Sequence, residues 1–214
     1  MKNKNTTAVI CCAGMGTRLG IGTTKALLDI NGKSLIIRQL ELLEDFDDIR
    51  LVVGYQAEKV IETVIKYRKD IMFVFNYRYE TTGVAESLQK GIFAARENIV
   101  LLDGDVLINA KDFANFIASE ECICFSKSNS TDQIYVELDS NGNVCGFKDS
   151  CCNCQFTWAG VAKLKKDNLV GDKKHVYELL EQHLPIKGFE IRSQDIDTVE
   201  DYEAAIEWFE NGCR

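Results

Sequence analysis

The feature that most limits the fold is a rhythm of apolar runs and helical stripes through the first half of the chain. Runs rich in Val, Ile, Leu and Phe near 7–12, 50–54, 71–75 and 98–102 are separated by segments near 33–45, 57–67 and 85–97 with a helical period. Ile36, Leu40 and Leu43 fall at i, i+4 and i+7, and Leu88, Ile92 and Ala95 repeat that spacing. Strands alternating with helices predict βαβ units, hence an α/β fold with a mostly parallel, doubly wound sheet and helices on both faces. With 214 residues, 46% of them hydrophobic, the chain is long enough for one such domain with a real core and too short for two comfortable ones.

After Asp105 the rhythm changes. The stretch QIYVELDSNGNVCGFK alternates around Asn141 and Gly142, which predicts a β-hairpin, and FTWAGVAKL predicts a further strand. Tyr202, Ala205, Ile206 and Phe209 form a helical stripe near the C-terminus. The second half is therefore expected to extend the first as a mixed-sheet elaboration.

The first apolar run empties into a glycine-rich loop, VICCAGMGTRLG, with Gly14, Gly16, Gly20 and Arg18, and Lys25 follows. Glycines permit positive φ and bring bare N–H groups close to an anion, while a guanidinium and an ammonium supply countercharge. The expected ligand is a nucleoside triphosphate. The loop is not a P-loop, because no glycine pair stands at the required spacing before a lysine. Nor is it a dinucleotide fingerprint, because Leu19 occupies the place of the third glycine.

Two acidic segments follow. Asp103 and Asp105 flank Gly104 at the end of the run NIVLLDGDV. Carboxylates at the C-terminal edge of a parallel strand stand where α/β proteins bind ligands, and an oxygen-only donor set suits Mg²⁺ held with substrate phosphates. An Asp-Gly turn in solvent accounts for the same residues. In RSQDIDTVEDYEAA, Asp195 and Asp197 precede the start of a helix whose cap is Asp197 or Thr198.

The pattern A-G-x-G-[ST]-R-L after an N-terminal strand, with a lysine beyond, resembles the signature loop of the nucleotidyltransferases that join NTPs to phosphorylated sugars, alcohols or phosphonates. LLDGDV resembles the metal-binding D-x-D of that family, and DIDTVED resembles the element that completes its metal site. The resemblance implies a Rossmann-like, GT-A-type fold and a single domain over 1–214, with a nucleotide-binding half (1–105) and an acceptor-binding half (106–214). It implies Arg18 and Lys25 as catalytic cations, and nucleotide contacts from Cys12, Ala13, Gly14, Met15, Gly16, Thr17 and Asp103. Mg²⁺ would be held by Asp105 and Asp195, with Asp197 as a neighbour or further ligand. Thr24 and Val199 stand where family members usually carry proline.

The base is expected near ETTGVAESLQKGI, where two resemblances compete. GVAESL is similar to the base-reading segment of sugar-1-phosphate nucleotidyltransferases, with Gly83 facing the base. ESLQKGI is similar to the segment of small cytidylyltransferases whose serine, here Ser87, contacts cytosine; a serine in a first helical turn is also ordinary. Gly54 and Tyr55 are read as scaffold. Trp158 is read either as core or as a stacking surface for a cationic or apolar acceptor head group. The preferred nucleotide is CTP and the preferred acceptor a small phosphorylated or phosphonate compound. The alternatives are a sugar-1-phosphate nucleotidyltransferase using UTP, dTTP or GTP, a nucleotide-sugar-binding glycosyltransferase, and a nucleotide-sensing domain without catalysis.

Composition narrows the partners. Lys plus Arg number 25 against 33 Asp plus Glu, a net charge of −8, which disfavours nucleic acid and anionic membranes as partners. No window approaches the roughly 18 apolar residues of a spanning helix, and the opening residues carry no secretory h-region before a cleavage site, so the expected location is cytoplasmic. A homodimer is among the assembly states left open. With only two histidines, His175 and His183, histidine-based catalysis has little material. Of nine cysteines, Cys11, Cys12, Cys122 and Cys124 lie in apolar runs and are expected to pack as small hydrophobes. Cys145, Cys151, Cys152 and Cys154 cluster in a polar stretch without the paired spacing of a zinc site.

Overall fold

The computed structural model describes residues 3–20, 22–127, 133–150 and 154–212. In chain order the strands and helices are β1 (Thr6–Cys12), β2 (Asp29–Ile30), β3 (Lys33–Ser34), α1 (Leu35–Leu42), β4 (Ile49–Val53), α2 (Ala57–Tyr67), β5 (Ile71–Phe75) and α3 (Val84–Gly91). They continue as β6 (Asn98–Asp103), β7 (Val106–Ile108), α4 (Ala110–Ala118), β8 (Cys122–Lys127), β9 (Tyr135–Leu138), β10 (Asn143–Lys148) and β11 (Phe156–Lys165). The last elements are α5 (Val176–Leu180), β12 (Ile186–Glu190), β13 (Ser193–Asp195) and α6 (Val199–Glu210).

The main sheet has nine strands in the order β5-β4-β1-β6-β11-β8-β12-β10-β9. Its first four strands are mutually parallel. Beyond β6 the pairing alternates: β11 runs antiparallel to β6 and β8, while β12 is parallel to β8. This is the mixed α/β fold expected from the sequence, but the sheet is not mostly parallel: its continuous parallel part is the N-terminal half, and β8 with β12 adds one parallel pair beyond it. The hairpin expected at Asn141-Gly142 forms between β9 and β10, with Gly142 at a φ of 77°.

The period of two in the strands divides the core between the faces. Ala8, Ile10 and Cys12 of β1 point into a cluster with Ile36 and Leu40 of α1, Val60 and Val64 of α2, and Phe113 and Phe116 of α4. Val9, Val52, Ile99 and Leu101 point the other way, against Leu88 of α3 and Val176 and Leu180 of α5. A third cluster joins Leu19, Leu28 and Leu35 to Ile196, Ala205 and Phe209, tying the glycine loop to α6. Helix α3 stops at Gly91, short of its expected end, yet Ile92 and Ala95 remain buried in the core. Cys11, Cys12, Cys122 and Cys124 are free thiols, three of them fully packed and Cys11 partly so. Cys145 is exposed and free, Cys154 is disulfide-bonded, and Cys151 and Cys152 lie outside the described residues.

Candidate active site

The C-terminal ends of β1 and β6 open into one cleft of about 600 Å³. Strand β1 ends at Cys12, and the chain is held at the sheet edge by Ala13, whose carbonyl accepts from the backbone N–H of Tyr55 at 3.0 Å. Gly16 (φ 59°) and Gly20 (φ 69°) then bracket a 3-10 turn, Thr17–Leu19. Leu19 is buried and anchors the turn, so Arg18 projects from it half exposed. The backbone N–H groups of Gly14, Met15 and Gly16 hydrogen-bond to no other described residue. Unpaired amides on a glycine turn beside a guanidinium are what an anion cradle is made from.

The β6 end lies against this loop. Gly104 donates its N–H to the Cys11 carbonyl at 2.9 Å, and a Cβ there would stand 2.6 Å from that oxygen. Only glycine lets the Asp103–Asp105 turn approach β1 so closely. From α1, the buried Gln39 side chain clamps the turn, its Nε2 donating to the carbonyls of Asp103 (2.8 Å) and Val106 (2.9 Å).

The third wall comes from far along the chain. Strand β13 pairs antiparallel with β7, Asp195 opposite Val106, and the N–H of Ile196 donates to the Asp105 carbonyl at 3.1 Å. Carboxylate oxygens of Asp105, Asp195 and Asp197 thereby come within 4.8 Å of one another. The open question of the α6 cap is resolved here. Thr198 Oγ1 accepts from the N–H of Asp201, and Asp201 Oδ2 accepts from that of Thr198. Asp197 is thus released from capping and faces the cleft, accepting from Arg18 (2.7 Å) and from Lys25. Lys25 Nζ also donates to Asp105 Oδ2 at 2.9 Å.

Electrostatics follow from this crowding. Four carboxylates, Asp103, Asp105, Asp195 and Asp197, face two cations, Arg18 and Lys25. Burial alone would lower the pKa of the Lys25 ammonium, but Asp105 and Asp197 more than offset this and hold it above its ordinary value. Burial, with Asp105 beside it, pushes the Asp103 carboxyl up to about 8. Asp195 is raised in the same direction, by burial first and then by Asp105 and Asp197. The surplus negative charge, the all-oxygen donor set and a buried Asp103 Oδ1 with no hydrogen-bond partner fit a hard divalent cation.

Thr24, where relatives of this pattern carry proline, is buried at φ −69° and ψ 142°. That is the φ a proline ring imposes, reached here by packing. Gly54 behaves as scaffold, since a Cβ there would stand 2.7 Å from the Ala13 carbonyl oxygen.

Most of the sequence-derived residues line this one cleft: Cys12, Ala13, Gly14, Gly16, Thr17, Arg18, Lys25, Asp103, Asp105, Asp195 and Asp197 around the loop, with Gly83, Ser87 and Trp158 on the walls. Met15, expected among the nucleotide contacts, does not line it. Ser87 is buried and accepts from Asn76 Nδ2 at 3.0 Å. Trp158 lies beside Asp103, whose carboxyl it partly draws back down, and packs edge-on to Phe147, with centroids 6.2 Å apart. The sequence reading missed Tyr79, Thr82, Asp149 and Tyr177, which also line the cleft, as well as the supporting Asn76 and Gln39. None of them belongs to a motif; only the loop composition of NYRYETTG marked that segment as a place where backbone leaves the sheet.

Residues 8–152 match the family described as the MobA-like NTP transferase domain. The chain belongs to that family. As an NTP transferase domain it has relatives among larger proteins: it is 28% identical over 193 residues to the bifunctional protein GlmU of Methanococcus vannielii, a match covering 88% of this chain and 46% of that protein. The chain thus spans about half the length of the curated relatives it matches. Among solved structures it superposes on the inositol-1-phosphate CTP transferase from T. maritima with a TM-score of 0.79 at 18% identity, covering 97% of both chains. The CTP:phosphocholine cytidylyltransferase LicC from Streptococcus pneumoniae gives a TM-score of 0.77 at 21% identity, over 96% of this chain and 99% of that one. These likenesses bear out the fold expected from the sequence. Among the described residues no helix is long and apolar enough to cross a membrane.

Proposed function

We propose that this protein is a CTP-dependent nucleotidyltransferase that joins CMP to a small phosphorylated or phosphonate acceptor and releases pyrophosphate. The observation that carries the reading is the convergence, in one cleft at the sheet edge, of the glycine loop with Arg18 and Lys25 and a cluster of three carboxylates. A sensor of nucleotides needs the first of these but not the second. A glycosyltransferase with a D-x-D site needs the second but has no triphosphate tail for the first to hold.

In this reading the loop N–H groups and Arg18 bind the triphosphate and neutralise charge on the departing pyrophosphate. Lys25 holds the carboxylates in place from within and adds positive charge beside the α-phosphate. Asp105, Asp195 and Asp197 are the residues that would hold Mg²⁺, which when bound supplies Lewis-acid polarisation of phosphoryl oxygens. The acceptor phosphate needs no strong base, because its second pKa of about 6 leaves it largely ionised at neutral pH. Catalysis then rests on orientation and preorganised charge. The nucleotide sits on the side of residues 1–105. The acceptor enters past Trp158 and Tyr177, whose aromatic surfaces and neighbouring Asp149 suit a cationic or apolar head group. CTP is preferred because Ser87 lines the cleft, and the two solved relatives above, whose printed names carry CTP, share the fold along nearly the full chain.

The test is pyrophosphate release measured with each of the four NTPs against a panel of phosphorylated alcohols, phosphonates and sugar 1-phosphates. Turnover with CTP and a non-sugar acceptor is the expected result. Turnover confined to UTP or dTTP with a sugar phosphate replaces the cytidylyl reading with its sugar counterpart, and no turnover with any pair removes the enzymatic reading.

A further inference from the structure

Behind the part of the cleft lined by Thr82 and Ser87, one buried side chain decides which hydrogen-bonding character that part presents. Asn76 is 1% exposed, and its carboxamide is fully engaged. Its Oδ1 accepts from the N–H of Arg78 at 3.2 Å, which fixes the orientation of the amide. Its Nδ2 then donates both hydrogens, one to Thr82 Oγ1 at 2.9 Å and one to Ser87 Oγ at 3.0 Å. Both hydroxyls are thereby acceptors toward Asn76. Thr82 spends its own proton on the Arg78 carbonyl at 2.9 Å. Among the described residues the Ser87 hydroxyl proton has no acceptor, although the residue is only 5% exposed and lines the cleft. A buried hydroxyl with an unplaced proton carries a desolvation cost that a ligand acceptor removes.

We infer that Asn76 is a specificity-determining positioning residue: by donating to Ser87 Oγ it turns the Ser87 hydroxyl proton toward the cleft, where that proton favours an unprotonated ring nitrogen of the base. This rests on the nucleotidyltransferase reading above and deepens it. Cytosine presents an acceptor at N3, whereas uracil presents an N3–H there. A uracil in the same pose either sets one proton against another or takes the second lone pair of Ser87 Oγ and leaves the Ser87 proton buried without an acceptor. Replacing amide by carboxylate reverses the pattern. In Asn76→Asp the new oxygen accepts the Ser87 proton, and Ser87 then offers the base a lone pair.

The experiment measures kcat/KM for CTP and for UTP in the wild type, Asn76→Asp and Ser87→Ala, with the Kd of inorganic tripolyphosphate as a check that the phosphate cradle is intact. We expect the wild type to prefer CTP by about 10- to 100-fold, the range of one mismatched buried hydrogen bond. Asn76→Asp should cut that preference by at least tenfold through a gain for UTP, with tripolyphosphate binding unchanged. Ser87→Ala should lose CTP efficiency without any gain for UTP. Should Asn76→Asp not fold, Ser87→Ala decides alone, an unchanged CTP to UTP ratio overturning the inference. A wild type that uses both nucleotides equally also overturns it while leaving the transferase reading standing; a wild type that turns over no nucleotide ends both.

Discussion

The carboxylate cluster behaves as a unit whose members have separable roles. Asp105 reaches Lys25 at 2.9 Å and belongs to the metal-competent group, so Asp105→Asn keeps its shape but removes a charge. We expect its turnover to fall by about 10²- to 10³-fold, the usual loss when one preorganised electrostatic contact is removed. Thermal unfolding should remain cooperative; a wild-type rate of pyrophosphate release would take Asp105 out of the mechanism. Asp103 lies outside that metal-competent group. Burial and Asp105 push it up to about 8, which makes it, with Asp195, a proton-linked group of the site when no metal is present.

At the scale of elements, the cleft depends on places where backbones touch. Gly83 precedes α3, and a Cβ built there would lie 1.9 Å from the carbonyl oxygen of Lys174, a backbone atom that cannot rotate away. Gly83→Ala should therefore push apart the start of α3 and the segment before α5, destabilising the protein by about 1 to 3 kcal/mol, as overpacking does. Urea unfolding measures it, and wild-type stability would refute the close approach. The start of α6 offers a second check. Thr198 and Asp201 cap each other, and this cap leaves Asp197 free to face Lys25 and Arg18. Thr198→Ala should cost about 1 kcal/mol of stability. It should also raise the Mg²⁺ concentration needed for half-maximal turnover, because the backbone carrying Asp197 loses its tether.

For the whole molecule, the surplus of carboxylates links stability to pH and to divalent cations. The unfolded Asp103 titrates near 3.8 and the folded one near 8. A group raised in this way contributes stability fully below about pH 4, and that contribution is lost as the pH rises through 8. In chelator-containing buffer, the wild type should therefore lose stability relative to Asp103→Asn between about pH 5 and 8. Mg²⁺ should shrink that difference, since a cation on the neighbouring carboxylates favours the ionised form. Melting temperatures of the two proteins across that range, with and without Mg²⁺, check both statements; parallel curves in chelator would show that Asp103 does not titrate as described.

The residues alone determined the α/β class, the glycine loop, both acidic segments and the helical stripes, because period, glycine placement and local charge are properties of short segments. A helix cap at Asp197 or Thr198 was legible for the same reason, and the structure chose Thr198. Tertiary structure alone decided what Asp197 does: 172 residues separate it from Lys25, and nothing near it in sequence distinguishes a cap from a ligand. Only the folded chain showed that Thr24 reaches the geometry of the missing proline by burial, and that Gln39 clamps the acidic turn from another element. Ser87 was visible as a residue type, but its polarity was not. A hydroxyl both donates and accepts, and which of the two it offers a ligand is set by the neighbours that packing brings to it, here Asn76.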